Sequence, residues 1–444
     1  MCASSKSAAC QRDSVAAHHY LSIYRNQPIN FKDLAVVDGS FSEAWEKLQR
    51  RQQRENRRWL EPTTDRAKTI SSSTSATGRG DNHGGKQSFS THVDREFNIA
   101  LTRALLRRDF HLLLPSIPPG YLCPPLPNRL NYVCWVRELL DRGMECECDP
   151  PEHNTTQKFF YQGIDIGTGA TCIYPLLLST AVFSGTEKST TQWKFLATDV
   201  DPTSVQSARQ NIKANNLQER IHVVCVPKSS RNNTSSTILP PNSNEQKINH
   251  VGSIQGPILT AMNAATESGL FLLEEGRDKT LTTEETAVSM SINSATYYAS
   301  YPYFDFVMTN PPFYSTYHEA DGCRIGDGRE RTEMTKLEAV YEGGEYAFIS
   351  DMIHDSMLLR SRITWYTSMM GKKTTLRQVE KKLRSIGLGR ANIRTTEFIQ
   401  GKTRRWGIAW TFQESPERLI GEQTCCSWNT LLLCLYHYLM MMMQ

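Results

Sequence analysis

The sequence predicts an α/β fold: a mostly parallel, seven-stranded sheet with helices on both faces and a small N-terminal extension. Three observations lead there. Short apolar runs at 163–166, 195–201, 221–226, 304–309, 362–369, 393–399 and 405–412 read as strands, and stretches of helical periodicity lie between most of them. The first run ends in a glycine loop, Gly167-Thr168-Gly169. The fourth ends in Asn310-Pro311-Pro312-Phe313, a polar amide held between a strand and two prolines. In open α/β sheets such carboxyl ends of strands are where ligands bind.

In chain order, residues 1–60 form the extension. A short aromatic-basic piece at Tyr24-Arg25 comes first, then a helical pattern from Phe41 to Leu60 bearing Lys47, Arg50, Arg51, Arg54, Arg57 and Arg58. Such a run is a solvated helix face or a nucleic-acid contact. The Ser/Thr/Gly-rich stretch 61–92 reads as a disordered linker, and 93–415 as the main domain. Apolar positions Phe97, Ala100, Leu101, Ala104 and Leu105 predict a helix over 94–110, and further helices are predicted at 132–140, 171–182, 202–215, 344–360 and 374–386. Residues 229–298, rich in Ser, Thr and Asn, are expected to be a disordered insertion between the third and fourth strands. The tail, 416–444, is apolar from Trp428 to Met443 but falls short of the roughly 20 residues a membrane span needs, so no membrane partner is predicted.

A net charge of +4 on 444 residues excludes a polycation. The charge is uneven, however: Leu359 to Trp406 holds thirteen Lys/Arg against two Glu, including Lys372, Lys373, Lys402, Arg404 and Arg405. A solvated helix face would interleave acids; this bias is the footprint of a phosphate backbone. The twelve cysteines contain no Cys-x-x-Cys pair, so no metal site is predicted, and Cys146, Cys148 and His153 read as loop residues. With no secretory signal read at the N-terminus, free thiols in a reducing nucleus or cytosol are expected.

The Gly167-x-Gly169 turn lets a ligand approach the backbone, but Cys172 stands where a dinucleotide fingerprint has its third glycine. Asp165 lies on the preceding strand, and Asp199 closes the second, where a carboxylate can accept both hydroxyls of a ribose. This set fits S-adenosylmethionine better than a nicotinamide cofactor; the alternative is a structural turn. Arg129 could pair bidentately with the carboxylate of the methionine part, or form a surface salt bridge.

The two prolines stiffen the loop after the fourth strand. The Asn310 amide oxygen and the Pro311 carbonyl can accept the two N–H bonds of an exocyclic amine while Phe313 stacks on its ring. The other reading is a Pro-Pro strand terminator with a buried Phe. Asn-Pro-Pro-aromatic loops also serve methylation of protein glutamine, usually with Tyr in last place. Here Phe313 and the basic C-terminal half favour an adenine.

The motifs Arg129-Leu130-Asn131-Tyr132, Gly163-Ile164-Asp165-Ile166-Gly167-Thr168-Gly169-Ala170, Ile173-Tyr174-Pro175-Leu176-Leu177, Asn310-Pro311-Pro312-Phe313, Glu342-Gly343-Gly344-Glu345, Ile353-His354-Asp355-Ser356, Met370-Gly371-Lys372-Lys373 and Arg405-Trp406 resemble the methyltransferase-like protein sixteen family. Its members are adenine-N6 methyltransferases of U6 small nuclear RNA. More distantly the chain is similar to bacterial ribosomal RNA adenine methyltransferases. The resemblance runs from about Phe97 to Phe412. It implies a Rossmann-like class I methyltransferase domain, S-adenosyl-L-methionine as cofactor, a structured RNA as partner and a nuclear location, leaving the oligomeric state open. By motif it implies donor contacts at Arg129, Gly167, Thr171, Asp199 and Ser230, an adenine held by Asn310 to Phe313, and RNA contacts at Lys402 and Arg405. Two positions depart from the family: Asp199 replaces the usual Glu, and Lys402 the usual Arg.

Overall fold

The computed structural model describes residues 24, 29–60, 95–123, 125–141, 157–183, 185–186, 189–228, 255–269, 301–320, 334–400 and 403–413. The predicted linker, the apolar tail and the Cys146/Cys148/His153 group fall outside them.

Seven principal strands form one sheet: β1 (Gln157–Ile166), β2 (Ser189–Asp199), β3 (Ile221–Cys225), β4 (Phe304–Thr309), β5 (Ile363–Met370), β6 (Ile393–Gln400) and β7 (Thr403–Trp410). Their order is β3-β2-β1-β4-β5-β7-β6; β7 runs antiparallel to both neighbours and the other pairings are parallel. An eighth, two-residue strand, Gly185–Thr186, folds back on the start of β2 and takes the count past the predicted seven. Both β1 and β2 begin before their predicted apolar stretches, because their ladder runs unbroken from Gln157↔Ser189 to Ile166↔Thr198.

Successive residues of a strand face opposite sides. Phe195 and Phe306 therefore join one layer with Trp135, Trp193 and Leu177, while Leu196 and Val307 join the other with Met262, Ile349 and Val379. The first layer is covered by α4 (Leu126–Asp141), α5 (Ile173–Leu178) and α6 (Pro202–Ala214). The second is covered by α7 (Pro257–Ser268), α9 (Gly344–Leu359) and α10 (Lys373–Ser385), with the short α8 (Lys336–Ala339) at the sheet's carboxyl edge. Both faces are buried, as a parallel sheet requires.

The N-terminal helices α1 (Phe31–Val37) and α2 (Gly39–Leu60) dock on α3 (Arg95–Phe110) through Phe31, Phe41, Trp45 and Phe97, whose ring centroids lie 5.7–6.2 Å apart. Asp38 serves both partners. Its Oδ1 accepts the Phe41 N–H at 3.0 Å, and its Oδ2 pairs with Arg107 of α3 at 2.8 Å.

One expectation is corrected. Part of the stretch read as a disordered insertion, Pro257–Ser268, is helix α7, which packs on β1, β2 and α9. It buries Ile258, Leu259, Ala261, Met262 and Ala265, all at most 2% exposed. The Ser/Thr/Asn-rich flanks mask this short apolar stripe in any window average, although Pro257 at its start and Gly269 (φ +63°) at its end are ordinary helix punctuation. The rest of 229–298 lies outside the described residues.

Candidate active site

Where β1 ends, Gly167 and Gly169 turn the chain with φ of +70° and +67°, and a side chain on either would meet nothing within 4 Å. The need for glycine is thus conformational, and it leaves open space above the backbone. The Thr198 carbonyl at the end of β2 accepts the N–H of Gly167 (2.9 Å) and of Thr168 (3.0 Å), tying the turn to its neighbour strand. Asp199 tightens the same joint: its Oδ2 accepts the Gly169 N–H at 2.8 Å and its Oδ1 the Asp201 N–H at 2.9 Å. Burial raises the Asp199 pKa, and the N–H bonds from Asp201 and Gly169 oppose the shift. Each oxygen keeps a further acceptor position for a ligand hydroxyl.

Above this turn lies a cleft with about 1170 Å³ of empty space, its mouth included. Of the residues expected to contact a donor, Arg129, Gly167, Gly169, Thr171 and Asp199 line it, and Asn310 and Pro312 reach it from the other end. Arg129, one turn into α4, is 9% exposed. Its Nη1 donates to the Tyr174 hydroxyl at 3.2 Å, the Met369 Sδ lies at 4.0 Å, and no carboxylate is in ion-pair reach among the described residues. A buried guanidinium without an anion is suited to receive one from a ligand.

Asp165 is not on the cleft wall. It sits beneath the loop, fully buried, with Oδ2 accepting from the Thr168 hydroxyl at 2.7 Å and Oδ1 without a partner among the described residues. An acid on the strand itself points into the sheet's packing, so this residue supports the turn rather than lining the cleft. Burial pushes its carboxyl up to about 7, against the bond from Thr168. The folded chain therefore keeps a proton here that the unfolded chain has released. The resulting stability is full below about pH 4 and lost as pH rises through about 7. Thermal unfolding should thus show a negative slope with pH across this window, flatter in Asp165→Asn. Equal slopes in the two proteins would place the titration elsewhere.

At the other end of the cleft, the buried Asn310 Oδ1 has no hydrogen-bond partner among the described residues. The following loop is clamped by Tyr314, whose N–H donates to the Ala339 carbonyl (3.1 Å) and whose carbonyl accepts from Tyr341 (3.0 Å). Phe313 lies against Gly371, where a Cβ would come within 3.0 Å of the ring, and the Arg405 guanidinium stands 5.5 Å from its centroid. Burial, and secondarily the charge of Arg129, lowers the Arg405 pKa. Lys372 and Lys373 are exposed at the start of α10, Lys372 pairing with Glu319 at 3.4 Å; Arg404 is exposed and pairs with Glu397 at 3.1 Å. Arg25, Ser230 and Lys402 lie outside the described residues.

Several cleft residues have no contact assigned to them from the sequence. Tyr174 of α5 enters there only as part of a motif, and Pro257 and Thr260 come from the unexpected helix α7. Glu338 caps α8 through a Thr335/Glu338 capping box and also accepts the Leu122 N–H (3.3 and 3.4 Å), linking α8 to the proline-rich loop across the cleft. The Thr-x-x-Glu spacing was readable as a helix start; its second bond, spanning 216 positions, was not.

Residues 81–246 and 289–414 match the sequence profile of a family of RNA methyltransferases. The chain belongs to that family. It is 32% identical to the human RNA N(6)-adenosine-methyltransferase METTL16 over 72% of its own length and 43% of that protein. With the Dictyostelium discoideum U6 small nuclear RNA (adenine-(43)-N(6))-methyltransferase it shares 30% identity over 72% of this chain and 48% of that one. The chain thus spans about half the length of the curated relatives it matches. The crystal structure of the human METTL16 catalytic domain in complex with MAT2A 3′UTR hairpin 6 superposes with a TM-score of 0.54 at 27% identity, covering 90% of this chain and 98% of that one. The complex with hairpin 1 gives 0.53 at 28%, covering 90% and 96%. The sheet order and these superpositions make the fold a Rossmann-like class I methyltransferase.

Proposed function

We propose that this chain transfers the methyl group of S-adenosyl-L-methionine to N6 of an adenosine in a structured RNA, a U6 small nuclear RNA hairpin being the first candidate, in the nucleus. The observation that carries this reading is the unpartnered Asn310 Oδ1 at one end of the cleft whose other wall is the open glycine turn. A buried acceptor with no partner costs about 1–3 kcal/mol, and the N–H of an exocyclic amine would satisfy it. The family and the solved RNA complexes of its members support RNA as the source of that amine. The residues also fit the donor. Arg129 can pair with its carboxylate, the turn admits its methionine chain, and Asp199 can accept ribose hydroxyls.

Bound S-adenosylmethionine supplies an electrophilic methyl on a positively charged sulfur. The chain's own residues do the rest. An adenine taken out of its stack would lie against Phe313 and donate its two N–H bonds to Asn310 Oδ1 and the Pro311 carbonyl, which draws its nitrogen toward tetrahedral geometry and aims the lone pair at the methyl. Arg405, over Phe313, and the basic α10 would hold the phosphates on either side.

Incubation with labelled S-adenosylmethionine and total RNA, followed by nucleoside analysis, tests the reading. Label in N6-methyladenosine is expected. Label in protein glutamine would move the activity to an amide methyltransferase, and no label in either would leave an RNA-binding protein.

A further inference from the structure

The sheet parts at the place where Asn310 is presented. The ladder of β4 with β1 continues to Ile166↔Thr309, but that of β4 with β5 ends at Val307↔Tyr366. Beyond it, Thr309 has no partner strand on that side among the described residues. The gap is filled by the phenol of Tyr132, a fully buried residue of α4. The Thr309 N–H donates to Tyr132 Oη at 3.3 Å, Tyr132 Oη lies 2.7 Å from Thr367 Oγ1, and Thr367 Oγ1 donates to the Val307 carbonyl at 2.9 Å.

Counting protons orders this chain. Thr367 has one hydroxyl hydrogen, already given to Val307, so in its bond with Tyr132 the phenol must be the donor. The relay then runs Thr309 N–H, Tyr132 O–H, Thr367 O–H, Val307 carbonyl. It leaves β4, crosses to β5 and returns to β4, standing in for the ladder bonds lost where the strands diverge. On its other side Thr309 is pinned by its own hydroxyl, which donates to the Ile166 carbonyl at 2.8 Å. The residue before Asn310 is thus fixed from both flanks, by its N–H on one side and its hydroxyl on the other.

Tyr132 also touches the donor end. It lies three residues after Arg129 on α4, hence on the same helix face, and meets Tyr174 edge-on at 5.4 Å between ring centroids. Tyr174 in turn holds the Arg129 guanidinium. One helical turn of α4 therefore carries both the cation for the donor and the hydroxyl that anchors the acceptor loop.

We infer that Tyr132 is a positioning residue: through its relay with Thr309 and Thr367 it sets Asn310 at a fixed distance from the Arg129 end of the cleft. The inference rests on the methyl-transfer reading for its kinetic consequence and on geometry alone for the anchoring.

The test uses the full chain with Tyr132→Phe, Thr367→Val, the double variant and the conservative Thr367→Ser. Displacements of about 1 Å cost up to about 100-fold in rate. Each disruptive variant should therefore lose about tenfold or more in kcat for RNA methylation, with KM for S-adenosylmethionine and RNA within about twofold. The double variant should be no worse than either single one, because the relay acts as a unit. Thr367→Ser keeps the hydroxyl and should match the parent. Amide hydrogen exchange at Thr309 should quicken about tenfold or more in Tyr132→Phe. Unchanged exchange, quicker exchange with unchanged kcat, or kcat and both KM values failing together with loss of the Thr367→Ser rescue would each overturn the inference. If the parent itself methylates no RNA, the functional reading fails, and the exchange result alone decides whether Tyr132 anchors the loop.

Discussion

Replacing Asn310 with alanine should slow methyl transfer by about 100- to 1000-fold and leave donor affinity unchanged, the range seen when one oriented hydrogen-bonding group is removed from the reacting centre. The side chain's Oδ1 is unpartnered among the described residues, so its truncation breaks no bond there and the fold should hold. Arg129, the glycine turn and Asp199 are left in place at the other end of the cleft. The loss should therefore fall on kcat, not on binding. Single-turnover transfer at saturating donor, beside calorimetric titration of the donor, separates the two. A variant that keeps the parent's rate would remove Asn310 from the chemistry, and one that loses donor binding would place it in the donor subsite instead.

The second large effect is expected at Asp355, in helix α9. Helix α7 begins at Pro257 after Gly256, which has no side chain to cap it. The cap comes from another helix: Asp355 of α9 accepts the N–H of Gly256 at 3.0 Å with Oδ1, and those of Ile258 (2.8 Å) and Leu259 (3.0 Å) with Oδ2. Glycine is required at 256 because a Cβ there would stand 2.5 Å from the Asp355 carboxylate. Asp355→Ala leaves three buried donors without an acceptor, a cost of about 3–5 kcal/mol when partial relaxation is allowed. At roughly 2–4 °C per kcal/mol, Tm should fall by about 10 °C. Donor affinity should weaken with it, because Pro257 and Thr260 of α7 form part of the cleft wall. Asp355→Asn, which keeps one acceptor oxygen, should fall between. A Tm equal to the parent's would show that α7 holds its place without this cap.

These two residues also mark the line between what could be read and what could not. Asn310, Pro311 and Pro312 announce themselves because a strand end followed by two prolines is a local pattern, written in adjacent residues. The same is true of Gly167 and Gly169, where the turn itself demands positive φ, and of the alternation of strands and helices that predicted the parallel sheet. Composition misled where it averaged over a window: the Ser/Thr/Asn-rich 229–298 stretch hid α7, and with it two residues of the cleft. Asp165 was placed correctly on its strand but not relative to the cleft, because a strand's period tells which residues share a face and not which face meets a ligand.

By itself, then, the sequence determined the sheet, the glycine turn, the stiff Asn-Pro-Pro-Phe loop and the basic bias of the C-terminal half, all of them consequences of backbone preference and residue type over a few neighbouring positions. Only the tertiary structure decided that Tyr132 closes the gap between β4 and β5, that Asp355 caps a helix 97 positions away, and that Glu338 reaches the Leu122 amide. Each of these is a buried or half-buried polar group whose partner is distant in the chain. Burial makes an unsatisfied donor or acceptor costly whatever its separation in sequence, so the folded chain must find these pairings, and no local pattern records them.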